Sequence, residues 1–394
     1  MKFIKNKAAL LFVAGLLLFS NLLFSQNDSC NLRISLLTCT PGEDLYSTFG
    51  HSAIRVTDLV THSDIVYNYG TFNFEEPGFY TKFIRGKLTF YVSTEEFDSF
   101  LYSYQYENRG ITEQVLNLSC AEKYNLLLLL KTNLLPQNRY YKYDFTFDNC
   151  TTRLRDLVEK GTAYQVRFPE ILHKKATFRD LIYEYLDYND KQWSKLGIDL
   201  LLGSRLDRTM KPREEMFLPD YLMQSFDSAD VAGKKLVLAK QKLIDIDNGA
   251  QKRNAFADPI FIFTCLLLLI IFLSFSKSNF VKRILDAIDG FLLFLTGLLG
   301  ILFIFMWIGT DHLMTKDNYN LLWAWPTNVV AAFYIHSKKK AVVIYFFLYA
   351  LLNLLLLICW FLLPQHLNPA LMPVIGIIIF RILYYVFRQY KKWT

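Results

Sequence analysis

The residue types best suited to covalent chemistry in this chain are a cysteine and a histidine far apart in sequence, Cys150 and His51. Cys150 follows an aromatic, strand-like run from Tyr141 to Phe147 and stands in the string Asp148-Asn149-Cys150-Thr151-Thr152. Asp, Asn and Thr are the side chains that cap helix N-termini, so the cysteine is expected at or beside the start of a helix. Unpaired backbone N–H groups and the positive end of the helix dipole stabilise an anion there. A thiol so placed ionises more readily than a free one, and the thiolate is the nucleophilic form. Arg153, one turn on, is expected to add positive charge.

His51 heads the run Ser52-Ala53-Ile54-Arg55-Val56, whose alternation suits a half-buried strand. Gly50 before it permits an unusual backbone angle or a close approach by another segment. An imidazole on a strand and a thiol at a helix start form a base–nucleophile pair of the kind used in covalent catalysis. The order, histidine before cysteine, resembles that of the circularly permuted papain-like thiol enzymes such as the lecithin retinol acyltransferase group. For a third member, Asp148 and His62 are both candidates, although Asp148 also suits a helix cap and His62 lies in a turn-like Thr-His-Ser-Asp.

The elements that must position this pair belong to an α+β domain. Strand-like runs Ile65–Tyr69 and Lys87–Val92 are punctuated by Gly70, Pro77-Gly78 and Gly86. Helical stretches follow at Ala121–Leu135, from Cys150 to near Gly161, and at Phe178–Tyr188. Residues 227–255 read as a charged helical segment leading toward a bilayer. Before the domain, residues 1–25 have the lysine-rich start, apolar run and Ser25-Gln26 junction of an export signal. Cys30 lacks a lipid-attachment context. In an exported domain Cys30, Cys39 and Cys120 can supply a disulfide and leave Cys150 free.

The chain has 394 residues, 53% hydrophobic, with a formal net charge of +7. Nucleic acid is not the expected partner, because the excess Lys and Arg flanks apolar runs as positive-inside topology requires. No C-x-x-C, H-E-x-x-H, G-x-S-x-G or P-loop string occurs, so no metal or other cofactor is expected. From Pro259 five apolar stretches predict a bundle of about five transmembrane helices: one from Pro259, one from Gly290, a short one at Leu321–Ile335 with Pro326 and Asn328, then Ala341–Leu363 and Leu371–Phe387. Arg381 is expected to snorkel toward the basic tail. The basic clusters at Lys277–Arg283 and Lys338–Lys340 then fall on one side and the α+β domain on the other. The division is 1–25 signal, 26–255 soluble domain with its helical linker, and 256–394 membrane domain. The outward loop from Thr310 to Asn320 holds Asp311, His312 and Lys316 where a lipid headgroup would lie.

The stretches LLTCTPGEDLYSTFGHSAIRV, VYNYGTFNF, KFIRGKLTFYV and FDNCTTRLRD, with the loop TDHLMTKDNYNLLWAWP, resemble the Bacteroidota lipoprotein N-acyltransferase family over nearly the whole chain beyond the export signal. The resemblance implies a multi-pass protein of the bacterial inner membrane with its N-terminal domain in the periplasm. It implies an acyl chain taken from a membrane phospholipid and given to the α-amino group of a diacylated apolipoprotein, with the family histidine on His51 and its cysteine on Cys150. Asn68, Tyr69 and Asn73 in the family-like NYGTFN stretch are expected to line the pocket, and Arg85 and Arg109 to pair with phosphate or with a structural carboxylate. Two other readings share these residues: a membrane-anchored thiol phospholipase or amidase, in which water discharges the thioester, and a non-enzymatic envelope scaffold.

Overall fold

The computed structural model describes residues 30–172, 174–246 and 249–390; the expected export signal at residues 1–25 lies outside them. The strands are β1 Leu32–Cys39, β2 His51–Asp58, β3 Ser63–Thr71, β4 Thr89–Glu96, β5 Ile111–Leu116, β6 Tyr140–Lys142, β7 Val166–Arg167, β8 Asp230–Val231, β9 Lys234–Lys235 and β10 Val237–Ile244. The helices of the same region are α1 Phe79–Ile84, α2 Phe97–Tyr106, α3 Cys120–Leu134, α4 Cys150–Gly161, α5 Phe178–Tyr188, α6 Gln192–Leu201, α7 Pro212–Glu215 and α8 Pro219–Ser228. Seven strands form an antiparallel sheet in the order β10-β5-β1-β2-β3-β4-β6.

Alternation along the strands assigns the two faces of the sheet. Leu32, Ile34 and Leu36 of β1 join Ile54, Val56 and Tyr67 in a core closed by α3 and α4. Leu37, Cys39, Ala53 and Val66 point the other way, toward Phe97 and Phe100 of α2. Helix α4 buries Leu154, Leu157, Val158 and Gly161, an i, i+3, i+4, i+7 stripe, beside Leu126 and Leu130 of α3. Its first residue is therefore held at the sheet end by the packing of its last two turns.

Residues 227–255 differ from the expected helix. Beyond α8 they form a short hairpin and then β10, which pairs with β5 at the sheet edge. Lys240 and Lys242 lie exposed on that edge strand, where lysines discourage pairing with other chains. The expected disulfide is also absent. Any pair among Cys30, Cys39 and Cys120 must include one of the first two, and both are free.

The C-terminal region is helical: α9 Pro259–Ser274, α10 Asn279–Ile308, α11 Asn328–Ala331, α12 Lys340–Ile358 and α13 Leu371–Tyr390. Among the described residues α10, α12 and α13 are long and apolar enough to cross a membrane, and α9 is an apolar helix of 16 residues. The stretch Leu321–Ile335 is broken into α11 and flanking 3-10 turns around Pro326. Its buried polar side chain is satisfied internally, as hydrocarbon demands: Asn328 donates to Thr296 at 3.1 Å and accepts from the Tyr345 hydroxyl at 2.7 Å. Arg381 does not snorkel. It is buried in a two-pronged pair with Asp289 at 2.8 and 2.7 Å and donates to Ser274 at 2.8 Å, because an uncompensated guanidinium inside the bundle would cost far more.

A buried polar seam joins the two regions. Asp199 of α6 is paired with Arg179 of α5 and accepts from Tyr183 at 2.7 Å and from Asn368 at 2.8 Å. Asn320 donates to the Asp199 carbonyl at 2.9 Å, Asn318 to Leu200 at 2.8 Å and Gln365 to Leu202 at 3.0 Å. Backbone bonds from Gly203 to Met314 and from Ser204 to Asp317 complete it.

Candidate active site

Cys150 is the first residue of α4, with Asn149 as N-cap. The Asn149 side chain accepts from Thr152 N–H at 2.8 Å and the Thr152 hydroxyl accepts from Asn149 N–H at 2.9 Å, a reciprocal cap. Asn149 Nδ2 also donates to the Phe145 and Phe217 carbonyls, so the cap is held from three sides. The backbone N–H groups of Cys150 and Thr151 belong to the first turn and have no intrahelical acceptor, which leaves two donors beside the sulfur.

His51 opens β2 at the same end of the sheet, where the Thr151 hydroxyl donates to the Ser52 hydroxyl at 3.4 Å, and this sets the imidazole beside the Cys150 thiol closely enough for each to shift the other's pKa. Gly50 makes this position reachable. Its φ is +73°, and a Cβ there would lie 2.6 Å from the Cys39 carbonyl oxygen. Gly70 (φ +87°) brings the end of β3 against Cys150, with Cys150 Cβ 3.7 Å and Tyr143 Cε2 3.6 Å from where its own Cβ would stand. The wall of the site is therefore Gly70 and the half-buried ring of Tyr143.

The imidazole is oriented by Asn68 of β3. His51 Nε2 lies 3.1 Å from Asn68 Oδ1, and Asn68 Nδ2 donates to Glu95 Oε1 of β4 at 2.7 Å. Because Glu95 takes the amide N–H, the Asn68 oxygen faces the ring. Nε2 then carries its proton, and Nδ1 is the nitrogen left for the sulfur. Burial raises the Glu95 carboxyl pKa, an effect that Asn68 and His51 only partly offset.

Electrostatics separate the two thiols in this corner. Burial opposes ionisation of Cys150, but the His51 ring, the Ser52 backbone N–H and the Thr151 hydroxyl outweigh it and bring the pKa from 9.0 down to about 7. Burial likewise opposes the charged form of His51. The thiolate opposite and the bonds to Cys150 and Asn68 prevail, so its pKa is raised above 6.5. Cys39, paired directly with His51 in the β1–β2 register, is pushed up to about 12 by burial and stays a thiol.

Of the other residues singled out from sequence, Asp148 is turned away. It forms a bidentate pair with Arg153 at 2.6 and 2.8 Å, while that guanidinium stacks on Tyr141 at 3.4 Å. The Arg153 charge is thus spent on Asp148 and is not directed at the sulfur. His62 (φ +57°) is exposed in the turn at the far end of β2, about 26 Å from His51 at the strand rise of ~3.3 Å per residue, and cannot orient its ring. Tyr69 is core, its hydroxyl accepting from Asn133 at 2.7 Å. Asn73 lines an open cavity of about 640 Å³ with Glu76, Thr89, Tyr91, Arg139 and Tyr140. Arg109 is buried against Tyr104, bonded to the Thr40 carbonyl at 3.0 Å and to Glu107 at 2.8 Å, a structural pairing. Arg85 is exposed at the end of α1.

The loop after α10 faces the α+β domain. Asp311 pairs with Lys142 at 2.8 Å and its N–H donates to the Arg85 carbonyl at 3.0 Å. His312 Nε2 lies 3.0 Å from the Phe83 carbonyl, and the Lys316 backbone packs on Gly203. Sequence reasoning missed Glu95, Ser52, Thr151 and Tyr143. Asn68 and Glu95 were findable only through strand register. Continuing Arg55↔Val66 by two steps puts Asn68 opposite Ala53 and diagonally across from His51, while Val66↔Glu95 brings the carboxylate to the next strand.

An α+β domain that sets a histidine beside a cysteine at a helix start, mounted on an apolar helical region, is the architecture of a membrane protein with an extramembrane domain. Residues 19–182 match the Lnb N-terminal periplasmic domain and residues 251–393 match the Lnb transmembrane domain. The chain belongs to the Lnb family, a lipoprotein-modifying membrane protein with a periplasmic N-terminal domain. No curated protein and no solved structure matches it.

Proposed function

We propose that this chain is a lipoprotein N-acyltransferase working through a Cys150 thioester. The Cys150 thiolate attacks the carbonyl carbon of a phospholipid acyl ester, and the C–O bond to the glycerol breaks. The His51 imidazolium gives its proton to the departing lysophospholipid oxygen. The α-amino group of a diacylated apolipoprotein then attacks the thioester carbon. His51 takes the amine proton, the C–S bond breaks, and amide and thiolate result. The Cys150 and Thr151 N–H groups are aimed to hold the oxyanion in both steps. Asn68 and Glu95 keep the ring in register, a positioning role filled by neither Asp148 nor His62.

The single observation that carries this reading is the juxtaposition of the His51 imidazole with a thiol at a capped helix start, tied together by the Thr151–Ser52 hydroxyl bond. The histidine strand preceding the cysteine helix supports reading the domain as a circularly permuted papain-like fold. Five crossings of the bacterial inner membrane are supported by the seam at one end of the bundle and by the Tyr385 hydroxyl bonding the Ser337 carbonyl, beside the basic cluster, at the other. Holding the thiol at the membrane suits substrates that both reside there, replacing encounter with positioning.

The test is to incubate the purified protein with labelled phospholipid and look for a hydroxylamine-labile acyl adduct that disappears in Cys150→Ser and is discharged by a diacylated lipopeptide amine. Absence of the adduct would leave a scaffold. Discharge by water as fast as by the amine would make the protein a lipase.

A further inference from the structure

Helix α1 is short, but four large apolar side chains in and beside it are exposed: Phe74 at 61%, Tyr80 at 75%, Phe83 at 52% and Ile84 at 48%. They form one patch, since Phe79 lies 5.0 Å from Phe74, 5.3 Å from Tyr80 and 6.2 Å from Phe83 between ring centroids. What covers the patch follows from where it is tied. The Phe83 carbonyl meets His312, and the Arg85 carbonyl meets the Asp311 N–H. His312 lies four residues beyond Ile308, the end of α10 and itself 78% exposed. At most ~3.5 Å per residue, α1 therefore sits within roughly 14 Å of the point where a spanning helix emerges. Arg85 and Lys87 stand around this point beside the Lys142–Asp311 pair, and such basic residues place an aromatic segment at a phosphate-bearing surface.

The patch also continues inward. Phe79 is 5.9 Å from Phe72, Phe72 is 5.4 Å from Phe90, and Phe90 stacks on Tyr143 at 4.3 Å. Tyr143 is the ring that walls Cys150 at Gly70. A file of aromatic rings thus runs from the exposed surface of α1 to the thiol without a charged side chain among its members.

We propose that α1 with Phe74 is an interfacial anchor immersed in the bilayer leaflet beside the α+β domain, and that the file Phe79-Phe72-Phe90-Tyr143 is the path along which a phospholipid acyl chain reaches Cys150. The second half rests on the acyl transfer proposed above; the first does not.

The test uses the full chain in vesicles of equal parts phosphatidylethanolamine and phosphatidylglycerol. A photoreactive benzoylphenylalanine replaces Tyr80, or in a second variant Val60, which is 63% exposed in the turn at the opposite end of β2. Irradiation is expected to add a phospholipid mass at position 80 and none at position 60. No adduct at 80, or equal adducts at both, overturns the anchor. Separately, in Phe72→Ser/Phe90→Ser, acylation of Cys150 by vesicle phospholipid is compared with acylation by soluble p-nitrophenyl butyrate. The ratio of the two rates is expected to fall by about 10-fold or more. An unchanged ratio overturns the path. If wild-type Cys150 accepts no acyl group from either reagent, the transfer reading fails, while the cross-link still decides the anchor.

Discussion

Asn68 lies 3.1 Å from His51 on one side and 2.7 Å from Glu95 on the other, so the imidazole is oriented by a neutral amide whose own direction is fixed by a carboxylate. An amide so held selects one tautomer without adding a net charge beside the thiolate. Asn68→Ala is expected to slow acylation of Cys150 by roughly 10–100-fold, less than the loss of the acid–base group itself would cost. Folding should be retained. Glu95→Gln should act in the same direction and more weakly, since a glutamine oxygen still accepts the bond. The check is single-turnover adduct formation, together with a circular dichroism spectrum for each variant.

The thiol and the imidazole also set a pH profile. The Cys150 pKa is lowered to about 7, so its thiolate accumulates as pH rises through that value and not through 9.0. The His51 pKa is raised above 6.5, so the imidazolium persists to higher pH than in a free histidine and is lost as pH rises through that raised pKa. Acylation should therefore climb near pH 7 and decline on the alkaline side. In His51→Ala the largest influence lowering the thiol pKa is gone while burial remains. The midpoint of iodoacetamide alkylation at Cys150 is expected to move up, and an unmoved midpoint would show that the imidazole does not face the sulfur.

The two thiols in the corner give an internal control. Cys39 is buried and pushed up to about 12, so at neutral pH mild alkylation should mark Cys150 and leave Cys39 untouched. Peptide mapping after limited iodoacetamide treatment reads this directly.

Gly50 tests the backbone. A Cβ would sit 2.6 Å from the Cys39 carbonyl at a φ of +73°, so Gly50→Val is expected to cost about 1–3 kcal/mol and to displace His51. Melting temperature and adduct yield should fall together, with the larger proportional loss in yield.

The seam tests the mounting of the domain. Removing the Asp199 carboxylate leaves Arg179 short of a buried partner and Asn368 without its acceptor. Asp199→Ala should therefore destabilise the protein by about 3–5 kcal/mol, whereas Asp199→Asn, which keeps one of the two acceptor oxygens, should cost less. Thermal unfolding in detergent measures both.

Much of this was readable in the sequence because its signals are local. The capping string around Asn149, the alternation after His51 and the apolar runs from Pro259 each depend on neighbours within a few positions. Residues brought together by pairing were not readable in the same way. Asn68 passed as a pocket-lining residue and Glu95 went unnoticed, because only the strand register sets them beside the ring. The same limit explains Arg381, whose partner Asp289 lies on another helix, and β10, whose leucines and lysines fit a helix face as well as an edge strand until β5 is there to pair with it.

The bonds from Asn318, Asn320, Gln365 and Asn368 to α6 and its flanks have a further effect. A domain clamped this firmly cannot swing away from the surface it stands on, so the sulfur keeps a constant altitude above the helices. The mount then works as a ruler: bonds at one depth come within reach, and any partner must travel to that level itself.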